Sequence, residues 1–246
     1  MNTLIAIIIS VLLISLISLI GVLFLALQAK TLDRFLLFIV AFASGSLLGG
    51  AFLHLLPEAL ESTSPAKVFM YVLCGILVFF VTEKFLHWRH CHHTGCEVHS
   101  FAYMNLVGDS IHNFIDGLII ASSYLVDMQV GIVATTALIF HEIPQEIGDF
   151  GVLLHGGFSK KKAILLNVLT AMTALVGALV GYYAGSNIEG FNSFLLPFAA
   201  GGFIYVANTD LFPELHKKNE FNHSIVQLIA LFMGILLMWL LKNVNL

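Results

Sequence analysis

Residues 1–27 read MNTLIAIIISVLLISLISLIGVLFLAL, a stretch without one charged side chain. A bilayer core takes about 20 apolar residues of helix to cross, and this run exceeds that. It is longer than the apolar region of a secretory leader and has no basic segment before it, so it is expected to remain as a span. Seven further runs of sufficient length follow at roughly 35–57, 68–87, 101–125, 128–154, 163–186, 193–212 and 224–241. They are continuously apolar, whereas a membrane barrel needs alternating segments of about 10 residues. The expected fold is all-α: a polytopic membrane protein with eight transmembrane helices, in which residues 1–246 form one transmembrane domain.

Composition agrees with this. Of 246 residues, 59% are hydrophobic and 11% charged, with a mean hydropathy of +0.94, against about 25% charged in an average soluble domain. The net charge of −4 and pI near 6.2 supply no basic surface, so nucleic acid is excluded as a partner and the lipid bilayer takes its place. Three cysteines are too few for a disulfide framework. Cys74 lies in an apolar run, while Cys91 and Cys96 sit in a histidine-rich loop where reduced thiols are expected.

Basic residues set the orientation, because short cytosolic loops retain Lys and Arg. Lys30, Arg34, Lys84, Arg89, Lys160, Lys161, Lys162, Lys217 and Lys218 fall on one side, and Lys67 and Lys242 on the other. The loops after spans one, three, five and seven are therefore expected in the cytosol and both termini outside. Spans two and seven also share a pattern. Phe42-Ala43-Ser44-Gly45 leads to Pro57-Glu58, and Phe198-Ala199-Ala200-Gly201 leads to Pro213-Glu214, at a constant offset of 156. With opposite directions for the two spans, this predicts an inverted repeat of helices 1–3 and 6–8 around helices 4 and 5, an arrangement common among transporters.

The fourth span reads Gly108-Asp109-Ser110-Ile111-His112-Asn113-Phe114-Ile115-Asp116-Gly117, and the fifth His141-Glu142-Ile143-Pro144-Gln145-Glu146-Ile147-Gly148-Asp149. His112 and Asp116 are one helical turn apart, with Asp109 a turn back and Asn113 alongside; His141 and Gln145 form a second pair, with Glu142 and Glu146 on the next stripe. Each charge at bilayer depth costs at least about 2.5 kcal/mol, yet five carboxylates occur here without a Lys or Arg in either span. Protons, water or a bound cation must compensate, and histidine mixed with carboxylate suits Zn²⁺, Fe²⁺ or Mn²⁺ better than Na⁺ or Ca²⁺. Pro144 leaves the carbonyl of Phe140 without its usual donor beside this cluster, which predicts a kink or an extra oxygen ligand.

His-Asn-x-x-Asp-Gly in the fourth span and His-Glu-x-Pro-x-Glu in the fifth resemble the paired signature of the ZIP family of metal transporters. His54-Leu55-Leu56-Pro57-Glu58 and Gly201-Gly202-Phe203-Ile204-Tyr205-Val206 resemble that family too, so the similarity runs over nearly the whole chain. The resemblance implies transport of Zn²⁺, with Fe²⁺, Mn²⁺ and Cd²⁺ as other candidate substrates, into the cytosol. It implies a binuclear site: His112, Asp116, His141 and Gln145 at one metal position, Asn113, Asp116 and Glu142 at the other, and Glu146 able to join either. Many members carry a second His where this chain has Gln145, whose amide oxygen is a weaker and harder ligand.

The repeat offset pairs His54 with Asp210, expected near the outer and inner helix ends as entrance and exit ligands. Asp109 and Asp149 are the remaining candidates for the path. The loop at 88–100 holds His90, Cys91, His92, His93 and Cys96 and could receive or sense metal, although its Cys-x4-Cys spacing matches no common zinc finger. Alternating access is expected to move helices 4 and 5 against the two repeats. An intramembrane zinc metalloprotease is the rival, since His141-Glu142 begins like His-Glu-x-x-His, but Gln145 stands where the second zinc ligand belongs. A membrane metal sensor is the other alternative. The cell membrane is the expected location, and a homodimer is a candidate assembly.

Overall fold

The computed structural model describes residues 2–17, 19–20, 29–88, 98–217 and 221–242. Among these the chain is helical throughout, in eight rods that follow the eight apolar runs. We label them α1 (Thr3–Ile17), α2 (29–62), α3 (Pro65–Trp88), α4 (Val98–Val126), α5 (Met128–His155), α6 (160–187), α7 (191–216) and α8 (Phe221–Lys242). Five of them, α2, α3, α6, α7 and α8, contain segments long and apolar enough to cross a bilayer. Of the others, α4 and α5 have the length, at 29 and 28 residues. They fall short in apolarity because His112, Asn113, Asp116, His141, Glu142 and their neighbours sit in their middles. The loop residues His90, Cys91, His92, His93 and Cys96 lie outside the described residues.

The repeat is written into the backbone. A π-helical turn interrupts α2 at Ala51–Leu55 and α7 at Ala207–Leu211, again 156 positions apart. Each precedes a proline, Pro57 or Pro213, whose ring lacks an N–H and crowds the carbonyl four residues back, so the turn before it widens. Packing repeats as well. A Cβ on Gly45 of α2 would strike the carbonyl oxygen of Leu231 on α8, and one on its counterpart Gly201 of α7 would strike that of Val72 on α3. Thus α2 lies on α8 and α7 on α3, each helix pairing with a member of the other repeat.

The helices sort into two groups. α1, α4, α5 and α6 pack on one another, and α2, α3, α7 and α8 do likewise. So α1 and α6 join α4 and α5 instead of staying with the other helices of their repeats. Contact between the groups runs mainly through α2 against α5, where the Phe42 and Phe140 rings meet edge-on at 4.5 Å. Large apolar side chains such as Leu73, Leu77, Val176, Val180, Leu228 and Phe232 face outward from α3, α6 and α8. Such a continuous apolar belt would be costly in water and suits lipid.

Candidate metal centre

His112 and Asp116 project from one face of α4, with His112 Nε2 3.4 Å from Asp116 Oδ2. α4 holds this depth by close packing on α6. The Gly117 that follows Asp116 faces the carbonyl of Ala174 so closely that a Cβ would overlap it, and Gly177 faces Phe114 in the same way. α5 runs unbroken through Pro144 and brings His141 and Glu142 to the same point. There His112 Nε2 lies 2.9 Å from His141 Nε2 and 3.4 Å from Glu142 Oε1. His141 Nε2 lies 3.3 Å from Glu142 Oε1 and 3.9 Å from Asp116 Oδ2.

These four atoms are arranged as a coordination shell would be. Zinc–nitrogen and zinc–oxygen bonds of about 2.0–2.1 Å in a tetrahedron put neighbouring ligand atoms about 3.3–3.4 Å apart, and the five distances run from 2.9 to 3.9 Å around that value. Asp116, His141 and Glu142 are buried, and Asp116 Oδ2 and Glu142 Oε1 have no hydrogen-bond partner. Two buried carboxylate oxygens without a donor, beside two convergent imidazole nitrogens, need a proton or a cation to offset their charge.

A cavity of about 930 Å³ reaches this cluster. His112, His141 and Gln145 line it, as do Asn105, Asp109 and Asp149, and Glu83, Asp210 and Glu214. No Lys or Arg is among the described residues that line it.

The family model described as ZIP Zinc transporter matches residues 1–100 and 89–242. The chain belongs to the ZIP family. Relatives include a zinc transporter ZIP13 homolog of Drosophila melanogaster, 35% identical over 84% of this chain and 77% of its own length. Zinc transporter ZIP13 of Pongo abelii is 37% identical over 81% of this chain, and zinc transporter SLC39A7 of Canis lupus familiaris 30% identical over 84%. The alignments take in 65% and 64% of those two proteins. With family and relatives named for transport, the metalloprotease reading falls away, and Gln145 in place of a second zinc-binding His agrees.

Within this ZIP chain His112, Asp116 and His141 of the first expected set stand in one cluster with Glu142 of the second. Asn113 is buried; its Nδ2 donates to Asp109 Oδ1 at 2.7 Å, and its Oδ1 has no hydrogen-bond partner. Glu146 is buried and is not in the cluster, its Oε2 accepting from Asn167 Nδ2 of α6 at 2.9 Å. Asp109, Asp149 and Asp210 line the cavity. His54 does not; it is buried against α8 with Nε2 2.7 Å from the Met238 carbonyl oxygen, which counts against its service as an entrance ligand.

Asn105, Asn167 and Glu83 were not singled out in the sequence, and Tyr205 only within the Gly201–Val206 stretch. Asn105 Nδ2 donates to Asp149 Oδ1 at 2.9 Å, and the Tyr205 hydroxyl donates to Glu83 Oε2 between α7 and α3. Asn105 stands one turn before Asp109 on the same face, a signal the sequence did carry. Asn167 and Tyr205 are joined to their acidic partners only across helices, where no spacing rule reaches.

Proposed function

We propose that the chain carries Zn²⁺ across the bilayer into the cytosol, through the His112–Asp116–His141–Glu142 cluster between α4 and α5. The observation that carries this reading is the convergence of four donor atoms within 4.8 Å of one another, beside a cavity lined by further carboxylates. Two imidazoles and two carboxylates suit zinc, and Fe²⁺, Mn²⁺ and Cd²⁺ compete for the same ligands. Gln145 beside the cluster, with the unpartnered Asn113 Oδ1, supports a second metal position next to the first.

The helices cross the membrane eight times, with the loops rich in Lys and Arg inside. In that orientation the cavity opens inward, since Leu36, Glu83, Asn105, Val152 and Glu214 all lie toward the cytosolic ends of their helices. The outer side is closed by polar contacts between the two helix groups. Asn192 at the start of α7 accepts from Ser122 Oγ on α4 at 3.0 Å and donates to the Gly185 carbonyl on α6 at 3.1 Å. Gln129 of α5 donates to the Leu241 carbonyl at the end of α8. Alternating access then moves α1, α4, α5 and α6 together, with the metal, against α2, α3, α7 and α8, and these contacts part as the outer side opens.

The test is ⁶⁵Zn²⁺ uptake into proteoliposomes by wild type and His112→Ala, with Fe²⁺, Mn²⁺ and Cd²⁺ as competitors. Uptake abolished by the substitution is the expected result. Zinc bound by the wild type without flux of any metal would overturn transport in favour of a sensor.

A further inference from the structure

Asp109 and Asp116 lie seven positions apart on α4, and Glu142 and Asp149 seven positions apart on α5. Seven positions are nearly two turns, so each pair shares a helix face, offset by about 10 Å along the axis. α4 and α5 run in opposite directions, and both offsets point toward the mouth of the cavity. Toward that mouth from the carboxylates of the cluster these offsets place a second pair, Asp109 and Asp149, both lining the cavity.

This lower pair has the features of a site. Asp109 is only 4% exposed; Asn113 Nδ2 holds its Oδ1, and its Oδ2 is buried without a hydrogen-bond partner on the cavity wall. Asp149 is held likewise, with Oδ1 on Asn105 Nδ2 at 2.9 Å and Oδ2 without a partner. The amides thus fix one oxygen of each carboxylate and leave the other uncommitted. Gly148 and Gly151 line the same wall with no atom near the position of a Cβ, leaving room for an ion and its water.

We propose that Asp109, Asp149 and Asn105 form a second, all-oxygen metal station two helical turns below the His/carboxylate cluster. The inference rests on the transport reading and adds a step to it. Oxygen donors without imidazole hold Zn²⁺ more weakly and accept harder ions such as Mn²⁺. Such a station lets metal leave a tight cluster in two stages, with the carboxylate pair replacing part of the hydration that a narrow cavity withholds.

The experiment uses the full chain in lipid nanodiscs, with Mn²⁺ alone as probe, followed by loss of the free-ion EPR signal. A His112→Ala/His141→Ala background removes the cluster and should retain Mn²⁺ binding. Adding Asp149→Asn should weaken that binding by about tenfold or more. Adding Asn105→Asp, which supplies a third carboxylate, should tighten it, a gain that misfolding cannot imitate. Mn²⁺ binding unchanged by both additions, or absent from the background, overturns the station. The transport reading fails separately: zinc binding equal in wild type and the double-alanine chain would remove the cluster itself, whatever Mn²⁺ does.

Discussion

The Nε2 atoms of His112 and His141 face each other at 2.9 Å, so without metal one ring must carry the proton that the other accepts. Both rings cannot be protonated at these atoms without placing two donors head to head. When metal arrives, each Nε2 must present a lone pair to it: a neutral ring does so by carrying its proton on Nδ1, and a protonated ring by releasing one. Zinc therefore competes with protons for the cluster, so its binding should weaken as the pH falls and release protons where the cluster is protonated. Zinc titrations between pH 5 and 7.5, in buffers of different ionisation enthalpy, report both quantities. A flat affinity with no proton release would contradict the cluster as the zinc ligand set.

Removing any one of the four donors should weaken tight zinc binding more than removing an outer partner does. Outer partners are commonly worth about 10–100-fold in affinity, so Asp116→Asn or Glu142→Gln should cost on the order of 100-fold. Glu146→Gln should cost less, because its carboxylate is turned to Asn167. Equilibrium ⁶⁵Zn²⁺ binding to the purified variants ranks them. Glu146→Gln weakening zinc as much as Glu142→Gln would place Glu146 in the shell.

How far the sequence carries is visible in these residues. The apolar runs predicted the eight rods, and the constant offset between Phe42-to-Pro57 and Phe198-to-Pro213 predicted a repeat whose π turns and helix pairing then appear in the structure. His112 and Asp116 could be joined on sight because one turn of a single helix separates them. Glu142 could not be joined to His141 in this way. Adjacent positions point about 100° apart, and only the lengths of the two side chains, curling toward α4, bring Nε2 and Oε1 within 3.3 Å. Glu146 and His54 illustrate the opposite case. Both looked available, and each is engaged by a group on another helix, Asn167 or the Met238 carbonyl. The packing of α1 and α6 with α4 and α5 likewise depends on surfaces that no periodicity announces.

Small residues hold the site in place, and two glycines separate packing from composition. Gly117→Ala puts a Cβ onto the Ala174 carbonyl, forcing α4 away from α6. Overpacking of this kind costs about 1–3 kcal/mol, so a lower melting temperature in detergent is expected, with weakened zinc binding as Asp116 shifts. Gly148→Ala meets nothing within 4 Å and should leave the melting temperature at or above the wild-type value. Equal destabilisation by both would mean that the α4–α6 contact is not tight.

The outer closure gives the last prediction. Asn192 bonds to both α4 and α6, so its truncation removes two hydrogen bonds between the helix groups, each worth about 1 kcal/mol. About 2 kcal/mol corresponds to roughly a thirtyfold change in the ratio of inward-open to outward-open molecules. Ala137, fully buried on α5 between its Met128 end and His141 and packed near Gly50 of α2, reports the opening. In a background lacking Cys74, Cys91 and Cys96, a membrane-impermeant maleimide should label Ala137→Cys slowly from outside. Adding Asn192→Ala should speed labelling several-fold, and zinc should modulate the rate by favouring whichever state binds it better. Labelling from outside that ignores Asn192→Ala would mean that the contact does not hold the outer face shut. Faster labelling from the inside alone would mean that the orientation is reversed.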